Sequence, residues 1–498
     1  MDTEARKQPI PPVSADHPGA ESLLLPARPP SGSRHPAGET LRHPRPGSRP
    51  ITTGPVRHTM LCLALPVLAE QILNTFVGVF DVFLAGRISA GATSAIGLAA
   101  YVDWLASMIV MLVGTGTTAL VSRESGRGNP EEANHFANQS ITLAALVGIG
   151  VLILFFTLAP AFAHYCNMTG EVFDIAVGYL RIGAFGDMLL AVTIVGCAAL
   201  RGVGDMRTPM TIFAVINGCN VVASLVLVYG FGPVPAFGVH GIVGGTVAAR
   251  TIGAMLTVLL LLRGRSGLKL VARALPISWQ RTKRILRIGM PAAADGAVMW
   301  TGHFLFLRII ANLAANPLGQ AYFAAHIIAI RVEAFTYLPA TAWAAATATM
   351  IGQALGAEDP RRARRAGHEG VLQCALLSIL IAAVFFFGAG TIYQLMSTDV
   401  LVRSQGIGAF RVLALLQPLL VMSIVYIGGI RGAGDTRFPL LITLTGILVF
   451  RLPLGYLFGV VLNGGLLGAW TGMFCDMIWR AIAATAGFVR GKWLTTKV

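Results

Sequence analysis

From position 59 to position 488 the chain is a succession of apolar stretches separated by short polar breaks. Each stretch has about the 20 residues that an α-helix needs to cross a bilayer core of about 30 Å. Inside that core a backbone must satisfy its own hydrogen bonds, which a helix does within one segment. The pattern predicts an all-α polytopic membrane protein with twelve transmembrane helices, at 59–86, 92–121, 139–161, 173–199, 209–231, 239–262, 287–313, 321–350, 371–393, 406–430, 438–460 and 466–488. The charged content of 12% agrees, since soluble domains carry about 25%. The 57 glycines would weaken soluble helices, but they suit membrane helices that pack backbone against backbone.

Two phrases recur at one spacing. Leu200-Arg201-Gly202-Val203-Gly204-Asp205-Met206-Arg207-Thr208-Pro209 returns as Ile430-Arg431-Gly432-Ala433-Gly434-Asp435-Thr436-Arg437-Phe438-Pro439, and Gly126-Arg127-Gly128-Asn129-Pro130-Glu131-Glu132-Ala133 returns as Gly356-Ala357-Glu358-Asp359-Pro360-Arg361-Arg362-Ala363, both offset by 230 positions. A shared offset across two phrases means duplication of a whole six-helix unit. Copies of six spans sit the same way up, as two lobes around a central cavity related by an axis along the membrane normal. The phrases themselves read as tight turns at helix ends, with a local Asp-x-Arg ion pair in each. Asp205 and Arg207 are also placed to gate the inner face.

Lys and Arg set the orientation. Arg263, Arg265, Lys269, Arg273, Arg281, Lys283, Arg284 and Arg287 fall in one connection, and Arg361, Arg362, Arg364, Arg365, Arg431, Arg437, Arg490, Lys492 and Lys497 fall on the same side, whereas 232–236 and 314–319 carry none. Both termini are then cytoplasmic in a multi-pass protein of the inner (plasma) membrane. The net charge of +15 is accounted for by these loops, so no nucleic-acid partner is implied.

The expected organisation is a disordered cytoplasmic tail at 1–57, an N-lobe at 58–263, a basic linker at 264–286, a C-lobe at 287–490 and a cytoplasmic tail at 491–498. The first tail is rich in Pro, Arg, Ser and Gly and lacks the apolar core and small-residue cleavage site of a secretory signal. Six scattered cysteines have no paired spacing that would suggest a disulfide framework or a metal site.

The two Arg-Gly-x-Gly-Asp-x-Arg-x-Pro turns, the Gly-x-Gly-Asn-Pro-Glu-Glu-Ala loop, the first-helix run Phe80-Asp81-Val82-Phe83-Leu84-Ala85-Gly86 and the eighth-helix stretch Ala325-His326-Ile327-Ile328-Ala329-Ile330-Arg331-Val332-Glu333-Ala334-Phe335 occur together in order. From about Pro66 to Gly487 the chain resembles the multidrug and toxic compound extrusion (MATE) transporters. The resemblance implies export of small organic cations or other amphiphiles, driven by inward proton or sodium movement, with alternating access of two lobes and no cofactor, metal or nucleotide hydrolysis. The sequence shows no phosphate-binding Gly-x-x-x-x-Gly-Lys-Ser/Thr loop. A lipid-linked oligosaccharide flippase is the alternative within transport, and it would need a more basic cavity. A membrane-bound enzyme or receptor is the alternative of another class; no clustered nucleophile and base or His-Glu-x-x-His motif supports it. The expected partners are the exported molecule and membrane lipid, and the chain is expected to be a monomer.

Asp81 is the leading coupling residue. An ionised carboxylate inside a span costs about 2.5–3.5 kcal/mol on insertion scales, and burial disfavours the charged form of such a group, so a proton is its natural cargo. In the bacterial DinF-like branch of the family the matching Asp works with polar groups of the fifth and sixth helices. Those positions here are Asn217, Asn220 and Thr246. Asn217 and Asn220 are three apart and share a helix face. Ser224 stands where some members have a further carboxylate, which leaves few oxygens for a dehydrated cation and favours protons over sodium. Pro66 removes a backbone donor from the same span and offers a hinge. The second half has an apolar residue near Phe306 where Asp81 would be mirrored, with Asp295 and His303 nearby as secondary candidates. Arg331 and Glu333 complete that group, two apart on one helix and therefore on different faces. Asp187, Arg411 and Arg451 read as mostly structural.

Overall fold

The computed structural model describes residues 51–496 apart from 315–317. Most of the tail expected at 1–57 lies outside the described residues. Twelve long helices follow: α1 Val56–Gly86, α2 Ala90–Gly126, α3 Pro130–Tyr165, α4 Gly170–Gly202, α5 Arg207–Tyr229, α6 Val239–Leu262, α7 Trp279–Ala311, α8 Leu318–Gly356, α9 Pro360–Met396, α10 Val400–Gly432, α11 Arg437–Val461 and α12 Gly465–Arg490. Eleven are long and apolar enough to cross a membrane, α7 being the exception. Its polar first turns, with the buried Asp295 and with His303, dilute its apolar character. Most helices overrun the apolar stretches by a turn or more, because a polar end stays helical once capped.

The repeated phrases explain those ends. Asn129 and Asp359 cap α3 and α9, their side chains accepting from the backbone N–H of Glu132 (3.2 Å) and Arg362 (2.8 Å). Pro130 and Pro360 follow at the first helical position, where a missing N–H costs nothing. Before the caps, Gly128 and Glu358 take positive φ (72° and 57°) to turn the chain. In the other phrase Gly204 and Gly434 do the same (φ 91° and 93°), and Asp205 and Asp435 accept from the N–H of Thr208 (2.9 Å) and Phe438 (3.2 Å). The expected Asp-x-Arg ion pair does not form. Asp205 instead faces Ser266 and Arg265, because a capping carboxylate points along its own helix start and away from Arg207.

The arginine that matters in each phrase is the earlier one. Arg201 reaches Glu70 of α1 (2.5 Å), and Arg431 reaches Asp295 of α7. Glu70 lies four residues after Pro66 and Asp295 four after Pro291, so the two buried ion pairs are copies of one another.

Packing does not divide cleanly at the linker. Met60, Leu63, Ala64 and Val67 of α1 join the apolar cluster of α8, α9, α10 and α12, while Leu84 and Ala85 at its other end join the cluster of α2, α3, α4 and α6. Ile285 and Ile288 of α7 likewise pack with the first half, and its Phe306 and Ile310 with the second. The first helix of each half therefore begins against the opposite half and ends within its own. α11 is interrupted by two π-helical turns, Gly446–Arg451 and Leu457–Val461.

Candidate functional site

Between the helices of the first half lies a cavity of about 400 Å³ whose walls include Asp81 of α1, Asp103 of α2, Tyr179 and Asp187 of α4, Asn220 of α5, and Thr246 and Arg250 of α6. Asn220 donates through Nδ2 to Thr246 Oγ1 (3.0 Å), and the Thr246 hydroxyl donates onward to the Ile242 carbonyl (3.2 Å). Asp81 shares this cavity, and its buried Oδ1 has no hydrogen-bond partner. The buried Asn220 Oδ1 has none either.

Asn217 departs from the expected set. Its Nδ2 donates to Asn74 Oδ1 (2.9 Å), bridging α5 to α1 about two turns before Asp81. Ser224 is fully buried and turns its hydroxyl to the Ile242 carbonyl (3.4 Å), away from any ligand. Pro66 lies inside α1, which continues through it without a break.

The sequence reading missed the strongest charge in the cavity. Arg250 donates through Nη1 to Asp187 Oδ1 (2.6 Å) and through Nη2 to Asp103 Oδ2 (3.2 Å). Asp187, read from sequence as structural, is thus part of the cavity wall, and Asp103 had not been singled out. The signal available was the presence of charges inside three further apolar spans, α2, α4 and α6, which insertion costs make conspicuous. Three carboxylates face one guanidinium, so an acidic excess remains whenever all are ionised.

The secondary candidates are separated. Asp295 is engaged by Arg431, whereas His303 lies beside Arg451 (Nη1 to Nδ1 3.2 Å). Arg331 is exposed and Glu333 buried, as their two-residue spacing requires. In the second half the ionic centre is Asp476, held by Arg480 (2.6 Å) and Arg451 (2.8 Å). Among the described residues each half keeps an inward carboxyl with no ion pair, Asp81 in the first and the buried Glu333 in the second.

The two halves meet at the end that carries the basic loops. Gln353 of α8 donates to the Gly202 carbonyl (2.9 Å), and Thr349 to the Arg201 carbonyl (3.1 Å). Arg123 of α2 donates to the Thr496 carbonyl (2.8 Å) and to Ala433 (3.4 Å). Positions 123 and 353 correspond at the repeat offset, so each half reaches into the turn after the fourth helix of the other. Gly126 and Gly356 let α2 and α8 touch there, since a Cβ on either would collide with the other helix's backbone. Further along, Trp104 of α2 stacks on Trp300 of α7 with ring centroids 6.0 Å apart.

Duplicated six-helix halves, locked together at one end and holding a charged cavity among membrane-crossing helices, define a membrane transport protein. The family model described as MatE matches residues 66–226 and 303–457. The chain belongs to that family, the MATE multidrug efflux transporters. Among relatives, a protein of Thermotoga maritima named "Probable multidrug resistance protein NorM" is 28% identical, covering 88% of this chain and 93% of its own length. One of the same name from Shewanella oneidensis is 27% identical, over 87% and 94%. Among solved structures, "Crystal structure of MATE in the bent conformation" superposes with a TM-score of 0.81 at 21% identity, covering 89% of this chain and 96% of that one.

Proposed function

We propose that this protein exports small organic cations by exchanging them for protons, with Asp81 as the proton carrier and the two halves rocking to expose the cavity alternately. The observation that carries the reading is the Asp81 carboxyl, walled into a polar cavity with one oxygen unpartnered and no cation bound to it. A group so placed can take up and lose a proton without breaking a structural bond. The names of the relatives, multidrug resistance proteins, support an amphiphilic cargo.

Protons are favoured over sodium on two counts. Asp81 offers one buried, unpartnered oxygen, which is enough to hold a proton but too little for a dehydrated metal cation. Ser224 spends its hydroxyl on a backbone carbonyl, so the ring of oxygens that a dehydrated cation needs is incomplete. Pro66 gives α1 a bend point between its two packing partners.

With the basic loops and both termini in the cytoplasm of the plasma membrane, the locked end faces inward and the structure is closed to the cytoplasm. The protein then works as a single chain, needing no partner to complete the cavity. In vesicles with an imposed pH gradient, Asp81→Asn is expected to insert normally and to lose gradient-driven transport of a dye cation. Wild-type rates in that variant, or a wild type driven by sodium and indifferent to pH, would refute the reading.

A further inference from the structure

The three carboxylates of the cavity are not held alike. Asp187 is 4% exposed and lies 2.6 Å from Arg250, whereas Asp103 is 43% exposed and 3.2 Å from the same guanidinium. Arg250 thus keeps a tight, buried counter-ion in Asp187 even if Asp103 leaves. The cavity also offers the unpartnered Asn220 Oδ1, an acceptor on a residue only 4% exposed. At the repeat offset Asp103 and Asp187 correspond to Glu333 and Gln417. In that half the arginine of the last helix, Arg480, is taken by Asp476 on its own helix, and Glu333 is 5% exposed. The accessible, loosely held carboxylate belongs to the first half.

From this geometry we infer that Asp103 is the docking carboxylate for the transported organic cation, and that its departure from Arg250 on binding is the step that expels the proton from Asp81. The inference rests on the proton-exchange reading above. A monocation entering the cavity pairs with Asp103, and the Nη2 group of Arg250 loses that partner. The freed positive charge favours an ionised carboxylate at Asp81, so the proton leaves as the cargo arrives. The other groups facing Asp81 are the Tyr179 phenol and Asp187 from α4, with the amide of Asn220 from α5 and the hydroxyl of Thr246 from α6. None of these supplies a second cation. The step exchanges the Asp103–Arg250 ion pair for an Asp103–cargo pair and breaks the Asp81 O–H bond, the proton passing to solvent water.

The test uses tetraphenylphosphonium as the probe and the purified full chain in lipid nanodiscs, with affinity read by calorimetry and proton release by a pH-indicator dye in weak buffer. The wild type is expected to release a proton on binding. Asp103→Asn should bind at least about tenfold more weakly, ~1.4 kcal/mol, with unchanged thermal stability, and Asp103→Glu should recover most of the loss. Asp81→Asn should release no proton. Equal affinity of Asp103→Asn and wild type, or no binding by the wild type, overturns the assignment of Asp103. Normal affinity loss in Asp103→Asn combined with no proton release by the wild type leaves docking intact and refutes the proton-exchange reading instead.

Discussion

Replacing Arg201 by Met isolates what the repeated phrase contributes. Its guanidinium lies 2.5 Å from Glu70, whose side chain is 3% exposed against 19% for the arginine. The second Glu70 oxygen has no other partner. Removing the cation strands a buried carboxylate, which costs about 3–5 kcal/mol. Replacing Glu70 by Leu as well removes the stranded charge, and a buried pair exchanged for apolar residues is close to neutral. The double variant should therefore recover most of the loss, giving a coupling of about 2–4 kcal/mol. Membrane proteins often unfold irreversibly, so the working quantity is the fraction surviving a heat step in detergent, read by fluorescence-detected gel filtration. The four members of the cycle are compared at one temperature. Asp295 and Arg431 form the duplicate pair, and the parallel cycle on them should give coupling of the same sign. Additive losses in both cycles would show that the pairs are incidental and would refute the reasoning.

Other consequences follow from the loops and the locked end. Burial works against a charge on Asp205, but bonds from Ser266 and from the side chain and backbone of Thr208 outweigh it and hold its carboxyl below the ordinary value near 3.8. A depressed carboxyl stabilises the fold above its unfolded value and ceases to as pH falls through the folded one. Asp205→Ala should accordingly cost about 1 kcal/mol at neutral pH, and its stability deficit should shrink in melts taken below about pH 4; a deficit that grows on acidification would contradict the capping role. Gly126→Leu should push α2 from α8, because the added side chain meets the Gln353 carbonyl. Spin labels at the exposed positions Glu131 and Arg361 should then report a longer separation, and an unchanged distance distribution would show that the close contact does not hold the halves together.

Helix number, the duplication and the basic side were legible in the chain alone. Hydropathy is a property of consecutive residues, and about 20 apolar ones can do little in a bilayer except form a helix. The tight turns at helix ends were legible for the same reason, but that Asn129, Asp205, Asp359 and Asp435 bond backbone three positions on and cap the following helices came only from the structure. The Asp-x-Arg ion pair was misread because two local bonds competed for one carboxylate, and capping geometry decided between them. Asp81, Asn220 and Thr246 were found as one group, but the charge that governs their cavity was not. Asp103, Asp187 and Arg250 come from α2, α4 and α6 and are joined across separations of 63 and 147 residues. Nor could the sequence show that α1 and α7 each begin against the opposite half. Which buried charge meets which depends on helix adjacency and rotation, set by small residues such as Gly126 and Gly356 at close crossings, and only the assembled tertiary structure decides those.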